Sequence, residues 1–304
     1  MKNIDTEKRN PKTTNIDNLP TDKMLELINK EDQTVPLAIA DIIPIIAESV
    51  DRITSSMNKG GRLLYVGAGT SGRLGVLDAV ECPPTFNAEP SNVLGVIAGG
   101  EKAIFQAAEG AEDDIEAGRK DIQNLNVNKN DTVVGIAASG RTPYTIGALE
   151  AANENSAYTI ALVCSYGSPL AETADTALEV NTGPEAITGS TRMKAGTAQK
   201  LILNMLSTGT MIRQGKVYGN LMVDLQPSNI KLRERALSII IEATGCSESE
   251  AIDALENYKE VKPAIVSLLT SLQGNEVANA LLRHRGRIQD ILNGYPSADT
   301  LNKS

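Results

Sequence analysis

Two short stretches of this chain combine small residues with hydroxyl side chains, and each directly follows a run of apolar residues. They span 67–72 and 138–143. Small residues allow the backbone to approach a ligand closely, and the free N–H groups at the start of a following helix can hold an anion. A phosphate monoester suits this chemistry because its oxygen atoms accept many short hydrogen bonds. The residues assigned here to phosphate binding are Gly69, Thr70, Ser71, Ser139, Gly140, Arg141 and Thr142.

The first stretch also allows two other interpretations. Its spelling fits GxGxxG, the pattern of a dinucleotide-binding turn. However, the next apolar run ends at Gly99 and Gly100, so the acidic residue that binds the ribose is missing from its expected place. A Walker phosphate loop does not fit, because Arg73 and Leu74 stand where Lys and Ser or Thr belong. A tight turn that binds no ligand stays open as the other alternative.

A third stretch, 188–194, opens a long helical pattern and contains Ser190 and Lys194. Ser and Thr residues at such a position can simply cap the helix. In the functional alternative, Ser190 and Lys194 belong to a third wall of the phosphate pocket, with Arg192 or Lys194 supplying positive charge. Both residues are therefore candidate binding residues.

Carboxylates are prominent candidates for proton transfer, since the chain has a single histidine, His284. Glu81 stands just before two prolines, which are expected to hold it on a rigid corner. A solvated glutamate at a helix end is the alternative. Glu112 belongs to an acidic cluster at 109–116, most of which is expected to face solvent. The spacing of this cluster does not match a calcium loop, so we expect no metal site.

The composition argues against several classes of function. The net charge of −9 argues against general binding to nucleic acids or to membrane surfaces, and the 3% of aromatic residues argues against base-stacking platforms. The sequence contains no run of about 20 apolar residues, so it predicts no transmembrane helix. The cysteines, Cys82, Cys164 and Cys246, lie far apart and indicate a reducing cytoplasm without a disulfide framework.

Short apolar runs alternate with helical patterns through the middle of the chain. The runs are continuous, as in strands that are buried on both faces of a parallel sheet. We predict five strands, at 63–66, 93–97, 132–137, 159–163 and 177–180. We predict helices over 71–80, from about 101, from 143 and over 191–213. This order predicts an α/β fold with a doubly wound parallel five-stranded sheet.

The flanking segments are predicted to be helical. Residues 1–20 form a polar arm, and Thr21 is expected to cap the first N-terminal helix. Ser247, with Glu250 three residues later, fits a capping box in a small C-terminal helical domain. The predicted divisions are an N-terminal arm with helices at 1–58, the α/β domain at 59–225 and the C-terminal helical domain at 226–304.

Longer strings of residues carry a resemblance to a known family. The two hydroxyl-rich loops resemble those of sugar isomerase (SIS) domains, which bind phosphosugars and have a flavodoxin-like sheet. Five strings closely resemble the N-acetylmuramic acid 6-phosphate etherase family, at 67–86, 97–114, 135–144, 188–209 and 215–225. The glucokinase regulatory protein is similar in architecture, but it is longer and carries two SIS domains.

This resemblance implies a reaction. The family cleaves the D-lactyl ether of N-acetylmuramic acid 6-phosphate with water, by elimination and then hydration, in the recycling of cell-wall amino sugars. Its catalytic glutamates correspond to Glu81, expected to protonate the departing lactate, and to Glu112, expected to handle the C2 proton or the water. The family also implies a homodimer with the pocket near the subunit interface, and neither cofactor nor metal. The competing hypothesis is a phosphosugar-binding regulator that catalyses nothing.

Overall fold

A computed structural model describes residues 5–227 and 229–295 and divides them between two units. The first unit runs up to Glu81 and again over Glu89–Ser207. The second comprises Cys82–Ala88 and the residues from Thr208 onwards. The division into domains at 1–58, 59–225 and 226–304 stays a prediction.

The N-terminal segment consists of three single 3-10 turns followed by three helices. The turns are Asp5–Glu7, Pro11–Thr13 and Ile16–Asn18, and the helices are α1 (Thr21–Asp32), α2 (Thr34–Ala40) and α3 (Ile43–Met57). Thr6, Asn10 and Thr13 are buried, so the polar arm packs into the protein. Pro20 holds the N-cap position in an extended conformation, and Thr21 is the first helical residue. The prediction that Thr21 caps α1 was therefore wrong by one residue.

The centre of the first unit is a five-stranded parallel sheet. Its strands are β1 (Leu63–Gly67), β2 (Val93–Ile97), β3 (Thr132–Ala137), β4 (Tyr158–Val163) and β5 (Thr176–Glu179). Their order across the sheet is β2-β1-β3-β4-β5, and every neighbouring pair is parallel. β1 and β3 are buried at every residue, as expected for continuous apolar strands covered on both faces. The predicted doubly wound α/β fold is confirmed.

Helices connect the strands and cover the sheet. They are α4 (Gly69–Phe86), α5 (Lys102–Phe105), α6 (Ile115–Asn124), α7 (Pro143–Glu154), α8 (Pro169–Thr173) and α9 (Lys194–Arg213). The helix predicted from about residue 101 is the single turn α5, followed by a separate 3-10 turn at Ala111–Asp113. A new helix starts there because the Asp114 side chain accepts a hydrogen bond from the Ala117 N–H at 2.9 Å and caps α6.

The sheet and the helices α6 and α7 share one apolar core. Leu64, Val66 and Val133 pack there against Ile122 of α6 and Leu149 of α7. Buried aliphatic side chains of this kind each contribute about 1.5–3 kcal/mol relative to exposure. This core fixes the position of the strand ends, and the strand ends in turn carry the hydroxyl-rich loops.

After α9, the described residues of the second unit form a short antiparallel ribbon and five helices. The elements after α9 are β6 (Val217–Tyr218), β7 (Leu221–Met222), α10 (Ile230–Thr244), α11 (Glu248–Tyr258), α12 (Val261–Leu269), α13 (Asn275–Arg283) and α14 (Ile288–Gly294). The capping box of Ser247 with Glu250 is present at the start of α11, as predicted. Ile240, Val261, Ile265 and Val277 contribute to a core of this unit.

None of the helices in the described ranges is by itself long and apolar enough to cross a membrane. The N-terminal helices over Thr21–Ala40 and Ile43–Met57 meet that test only as a pair, by length and composition, and the pair is bent by 63°.

Candidate active site

The two hydroxyl-rich loops follow β1 and β3, which are neighbours in the sheet. Gly67 at the end of β1 is aligned with Ile136 near the end of β3, so the two loops leave the sheet at one edge. The chain leaves β1 towards β2 on one side and then returns to β3 on the other. In open α/β sheets, ligands bind in the crevice at such a reversal. The structure thus places both loops where a small-molecule ligand is expected.

The outer glycines of the GxGxxG pattern are required by the turn between β1 and α4. A Cβ atom on Gly72 would lie 2.6 Å from the carbonyl oxygen of Gly67 and 2.7 Å from Ile97 Cγ1. A Cβ atom on Gly67 would lie 2.9 Å from the Gly72 nitrogen. Both contacts are closer than real side chains allow, so close packing explains these two glycines without a dinucleotide.

The first loop contacts the start of α9. The Ser71 hydroxyl donates a hydrogen bond to Gln199 Oε1 at 2.9 Å, and Thr70 lies beside Gly196. Gln199 is 1% exposed, and its Nε2 has no hydrogen-bond partner among the described residues. Sequence reasoning did not single out Gln199, because 128 residues separate it from Ser71. The first hydroxyl-rich loop is therefore hydrogen-bonded to a buried side-chain amide of α9.

The second loop has two hydroxyl groups placed for a ligand. Ser139 Oγ accepts a hydrogen bond from the backbone N–H of Arg141 at 3.3 Å, which leaves its proton free to donate. Thr142 precedes α7 at the N-cap position and makes no side-chain cap hydrogen bond. Gly140 has a positive φ of 64°, and its carbonyl accepts the Leu170 N–H at 3.0 Å. Arg141 is exposed.

Glu112 shares a cavity with the first loop. The cavity has a volume of about 200 Å³, and its lining includes Gly69, Arg73, Glu109 and Glu112. The Arg73 guanidinium donates to the Ile104 carbonyl at 2.9 Å, which ties α4 to the segment that precedes Glu112. The fold thus brings one of the two predicted catalytic carboxylates beside the phosphate loop.

Glu81 lies elsewhere on α4 and is exposed. It is twelve residues beyond Gly69, which corresponds to about 18 Å along a helix axis. The expected rigid corner is absent, because α4 continues through Pro83 and Pro84 to Phe86. Cys82 and Phe86, which lie one turn apart near the end of α4, are both buried. Glu81 is therefore not among the residues that line the cavity of Glu112.

Lys194 is 2% exposed and forms a buried ion pair. Its Nζ lies 2.8 Å from Glu31 Oε2, and Glu31 also binds Asn10 Nδ2 at 2.8 Å and Lys12 Nζ at 3.1 Å. Burial alone would raise the pKa of Glu31, but the hydrogen bonds from Lys194, Lys12 and Asn10 outweigh it and lower this pKa to about 2. Ser190 is half-buried in the turn before α9. The charge of Lys194 is thus already compensated inside the protein.

The first N–H groups of α9 are also occupied. The carboxylate of Glu185 is fully buried and accepts hydrogen bonds from the backbone N–H groups of Lys194 and Ala195, each at 2.9 Å. Burial raises the pKa of Glu185 in spite of these bonds. These N–H groups, which could otherwise bind an anionic ligand at a helix start, are therefore already satisfied by Glu185.

No cluster of three or more His, Cys, Asp or Glu side chains suited to a metal ion occurs in 5–227 or 229–295.

Comparison with known protein families supports an SIS fold. Residues 45–153 match the glucokinase regulatory protein N-terminal SIS domain, and residues 114–209 match the SIS domain. Among solved structures, the phosphoheptose isomerase of Neisseria gonorrhoeae has a TM-score of 0.45 and 16% identity, covering 62% of this chain and 97% of that one.

Curated relatives share most of this sequence. The N-acetylmuramic acid 6-phosphate etherase of Aliivibrio fischeri strain MJ11 is 54% identical over 94% of this chain and 96% of its own length. The protein of that name from Aeromonas hydrophila is 54% identical over 93% of this chain and 95% of its own length. The Yersinia pestis strain Pestoides F relative, with the same name, is 53% identical over 94% of this chain and 98% of its own. At this identity and coverage, the chain belongs to the N-acetylmuramic acid 6-phosphate etherase family.

Proposed function

We propose that this protein is a carbon–oxygen lyase that cleaves the D-lactyl ether of N-acetylmuramic acid 6-phosphate. The products are N-acetylglucosamine 6-phosphate and D-lactate, as needed for recycling cell-wall amino sugars. One observation carries the proposal: Glu112 lines the same cavity as Gly69 of the phosphate loop. A carboxylate beside a phosphate site is the arrangement that proton abstraction from a phosphosugar requires. The name shared by the relatives supports this substrate.

The reaction proceeds by elimination and then hydration. In the open-chain sugar, the C1 aldehyde acidifies the C2 proton, and Glu112 removes it. The electron pair forms the C2–C3 double bond as the C3–O bond breaks, and Glu81 protonates the departing lactate oxygen. An ether oxygen is a poor leaving group, so this proton is needed. Water then adds at C3, and C2 regains a proton, which restores the saturated sugar. The aldehyde stabilises the electron pair left at C2 by conjugation, so the reaction needs no redox cofactor.

The phosphate group is held by the two loops. Ser139 and Thr142 donate hydroxyl hydrogen bonds to the phosphate. Gly69 and Gly140 border the crevice with their backbones, and Arg141 contributes positive charge. Thr70 and Ser71 complete the first loop against α9. Ser190 and Lys194 belong to the third wall, where the Glu31 ion pair holds Lys194.

The acid Glu81 is supplied by a second copy of the chain in a homodimer. Two apolar side chains, Leu77 and Val80, precede it on α4 and are 50% and 57% exposed. Exposed apolar side chains that lie one helical turn apart favour coverage by another protein surface. Because Glu81 lies about 18 Å along α4 from Gly69, a neighbouring subunit is the source that brings it to the cavity.

The protein is placed in the cytoplasm by this proposal. Its cysteines are free, and Cys82 and Cys164 are buried, which fits a reducing compartment.

The activity is tested by incubating the protein with N-acetylmuramic acid 6-phosphate and measuring D-lactate. Glu112→Gln and Glu81→Gln are each expected to lower kcat by about 10²–10⁴-fold, the range for loss of a general acid or base. Glu109→Gln is the matched control, because Glu109 lines the same cavity and has no assigned role. Binding of the sugar phosphate without lactate release would favour the regulator. Wild-type turnover of either variant would remove that residue from the mechanism.

Mixing the two inactive variants tests the shared site. In a mixed dimer of Glu81→Gln and Glu112→Gln subunits, one of the two composite sites keeps both carboxylates. Random exchange makes half of the dimers mixed, so about a quarter of wild-type activity is expected. If both glutamates acted within one subunit, the mixture would stay inactive.

A further inference from the structure

A second polar cavity lies at the opposite edge of the sheet from the hydroxyl-rich loops. Its volume is about 600 Å³, and it is bordered by α3 and by the residues that lead into β3, β4 and β5. The strands run away from it for four to six residues, so about 13–20 Å of sheet separate it from the loops. Its size falls in the range of small-molecule sites, about 300–1,000 Å³.

Three cationic side chains line this cavity. Arg52 belongs to α3, Lys59 follows that helix, and Lys129 lies in the turn before β3. Within the parts of the chain that the structure describes, none of these three cations is in an ion pair. The chain carries a net charge of −9, so a group of uncompensated cations stands out against the average charge. Such a group attracts a multivalent anion.

The acidic residue that lines the cavity is already engaged. Asp175 Oδ2 accepts hydrogen bonds from the backbone N–H of Thr159 at 2.9 Å and from its hydroxyl at 3.1 Å. This carboxylate therefore organises the start of β4. Its single negative charge offsets one of the three cations, so the lining keeps a net charge of +2.

Arg52 is held in place by an aromatic ring. Its guanidinium lies over the Tyr158 ring, 5.6 Å from the centroid, which is within the range of a cation–π contact. The Tyr158 hydroxyl is in turn hydrogen-bonded to Thr176 Oγ1 at 2.5 Å, so the ring is fixed at both ends. A positioned guanidinium loses less freedom when it binds an anion, and its fork of N–H groups matches phosphate oxygens.

We propose that this cavity is a second anion site, which binds a phosphorylated small molecule separately from the active site. The Arg52 guanidinium donates hydrogen bonds to two phosphate oxygens, and Lys59 and Lys129 neutralise the remaining charge of the phosphate. Ser55 and Ser156 donate hydroxyl hydrogen bonds to the rest of the ligand. The volume suits one small molecule. A phosphate dianion matches three cations better than a single carboxylate does.

The test is chemical footprinting of the full-length protein with inorganic phosphate as the probe. An amine-acetylating reagent modifies Lys59 and Lys129, and mass spectrometry measures each rate with and without phosphate at constant ionic strength. Bound phosphate is expected to slow both rates by roughly tenfold at about ten times its Kd, because protection scales with one plus the ratio of ligand to Kd. Exposed Lys231 in α10 serves as the internal control and is expected to keep its rate.

Arg52→Gln is expected to abolish the protection of Lys59 and Lys129. Arg235→Gln, which removes one exposed positive charge from α10, is the matched control and is expected to preserve it. A second variant, Ser156→Asp, places an acid in the cavity without changing α3 and is also expected to abolish protection. Equal rates with and without phosphate in the wild type, or protection that persists in both cavity variants, would overturn the proposal. Lactate release is a separate readout, so failure of the proposed etherase activity is distinguishable.

Discussion

Replacing Glu31 with glutamine tests how much its buried ion pair with Lys194 stabilises the folded protein. The Glu31 side chain is 4% exposed, and it accepts hydrogen bonds from Lys194, Lys12 and Asn10. These partners hold its pKa at about 2, against an ordinary value of 4.5. That difference corresponds to about 3 kcal/mol of stability at neutral pH. This figure includes the interaction with the buried Lys194, which Glu31→Gln leaves without a counter-charge.

The pH dependence of this loss has a definite sign. A carboxylate with a lowered pKa in the folded state stabilises fully above its unfolded pKa, and the stabilisation disappears as the pH falls through the folded pKa. Glu31→Gln is therefore expected to lower the free energy of unfolding by about 3 kcal/mol at pH 7 and by about 1 kcal/mol at pH 3. Urea unfolding followed by circular dichroism at both pH values measures the two differences.

The matched control is Glu256→Gln, which removes an ion pair with Arg233 in which both side chains are more than half exposed. Exposed pairs contribute less than about 1 kcal/mol. The reasoning fails if Glu31→Gln costs no more than Glu256→Gln at pH 7. It also fails if the cost of Glu31→Gln is the same at pH 3 and pH 7.

Two further substitutions follow from backbone geometry and capping. Gly140→Ala is expected to destabilise the protein by more than Gly69→Ala, because a Cβ atom on Gly140 would lie 2.1 Å from Ser168 Oγ, whereas one on Gly69 meets nothing within 4 Å. Both glycines have positive φ, so the strain of that conformation, about 1–2 kcal/mol, is common to them, and thermal unfolding isolates the clash. Ser247→Ala breaks the capping box with Glu250 and is expected to cost about 1 kcal/mol by urea unfolding, while Ser247→Asn is expected to retain most of the stability.

Local patterns were sufficient to predict the sheet. Apolar runs marked the strands most clearly at β1 and β3, because burial on both faces removes the alternation of apolar and polar residues. The hydroxyl-rich loops were predictable for the same reason, since their place follows from the strand that each one succeeds. The ribbon of β6 and β7 was missed, as two residues per strand are too few to form a pattern.

Contacts between distant segments could not be predicted from the sequence. Nothing near Lys194 indicates that Glu31 neutralises it, and nothing near Ser71 points to Gln199. The predicted rigid corner at Glu81 was wrong for a different reason. Its two prolines suggested a rigid corner, but α4 continues through both of them, and Glu81 lies twelve residues beyond Gly69 on the same helix. Tertiary packing overrode a local preference there, and the resemblance to a family could not reveal it.

The arm at the start of the chain has a consequence for synthesis on the ribosome. Its partners come late: Asn10 contacts the Pro184 carbonyl, Asp5 contacts Asn181, and Lys194 reaches back to Glu31 across 163 residues. At about 5–20 residues per second, the arm and Glu31 wait about 10 to 30 s for these partners to be made. During translation the arm and Glu31 therefore lack these native contacts until residues 181–194 have been made, and in that interval they are accessible to proteases and chaperones.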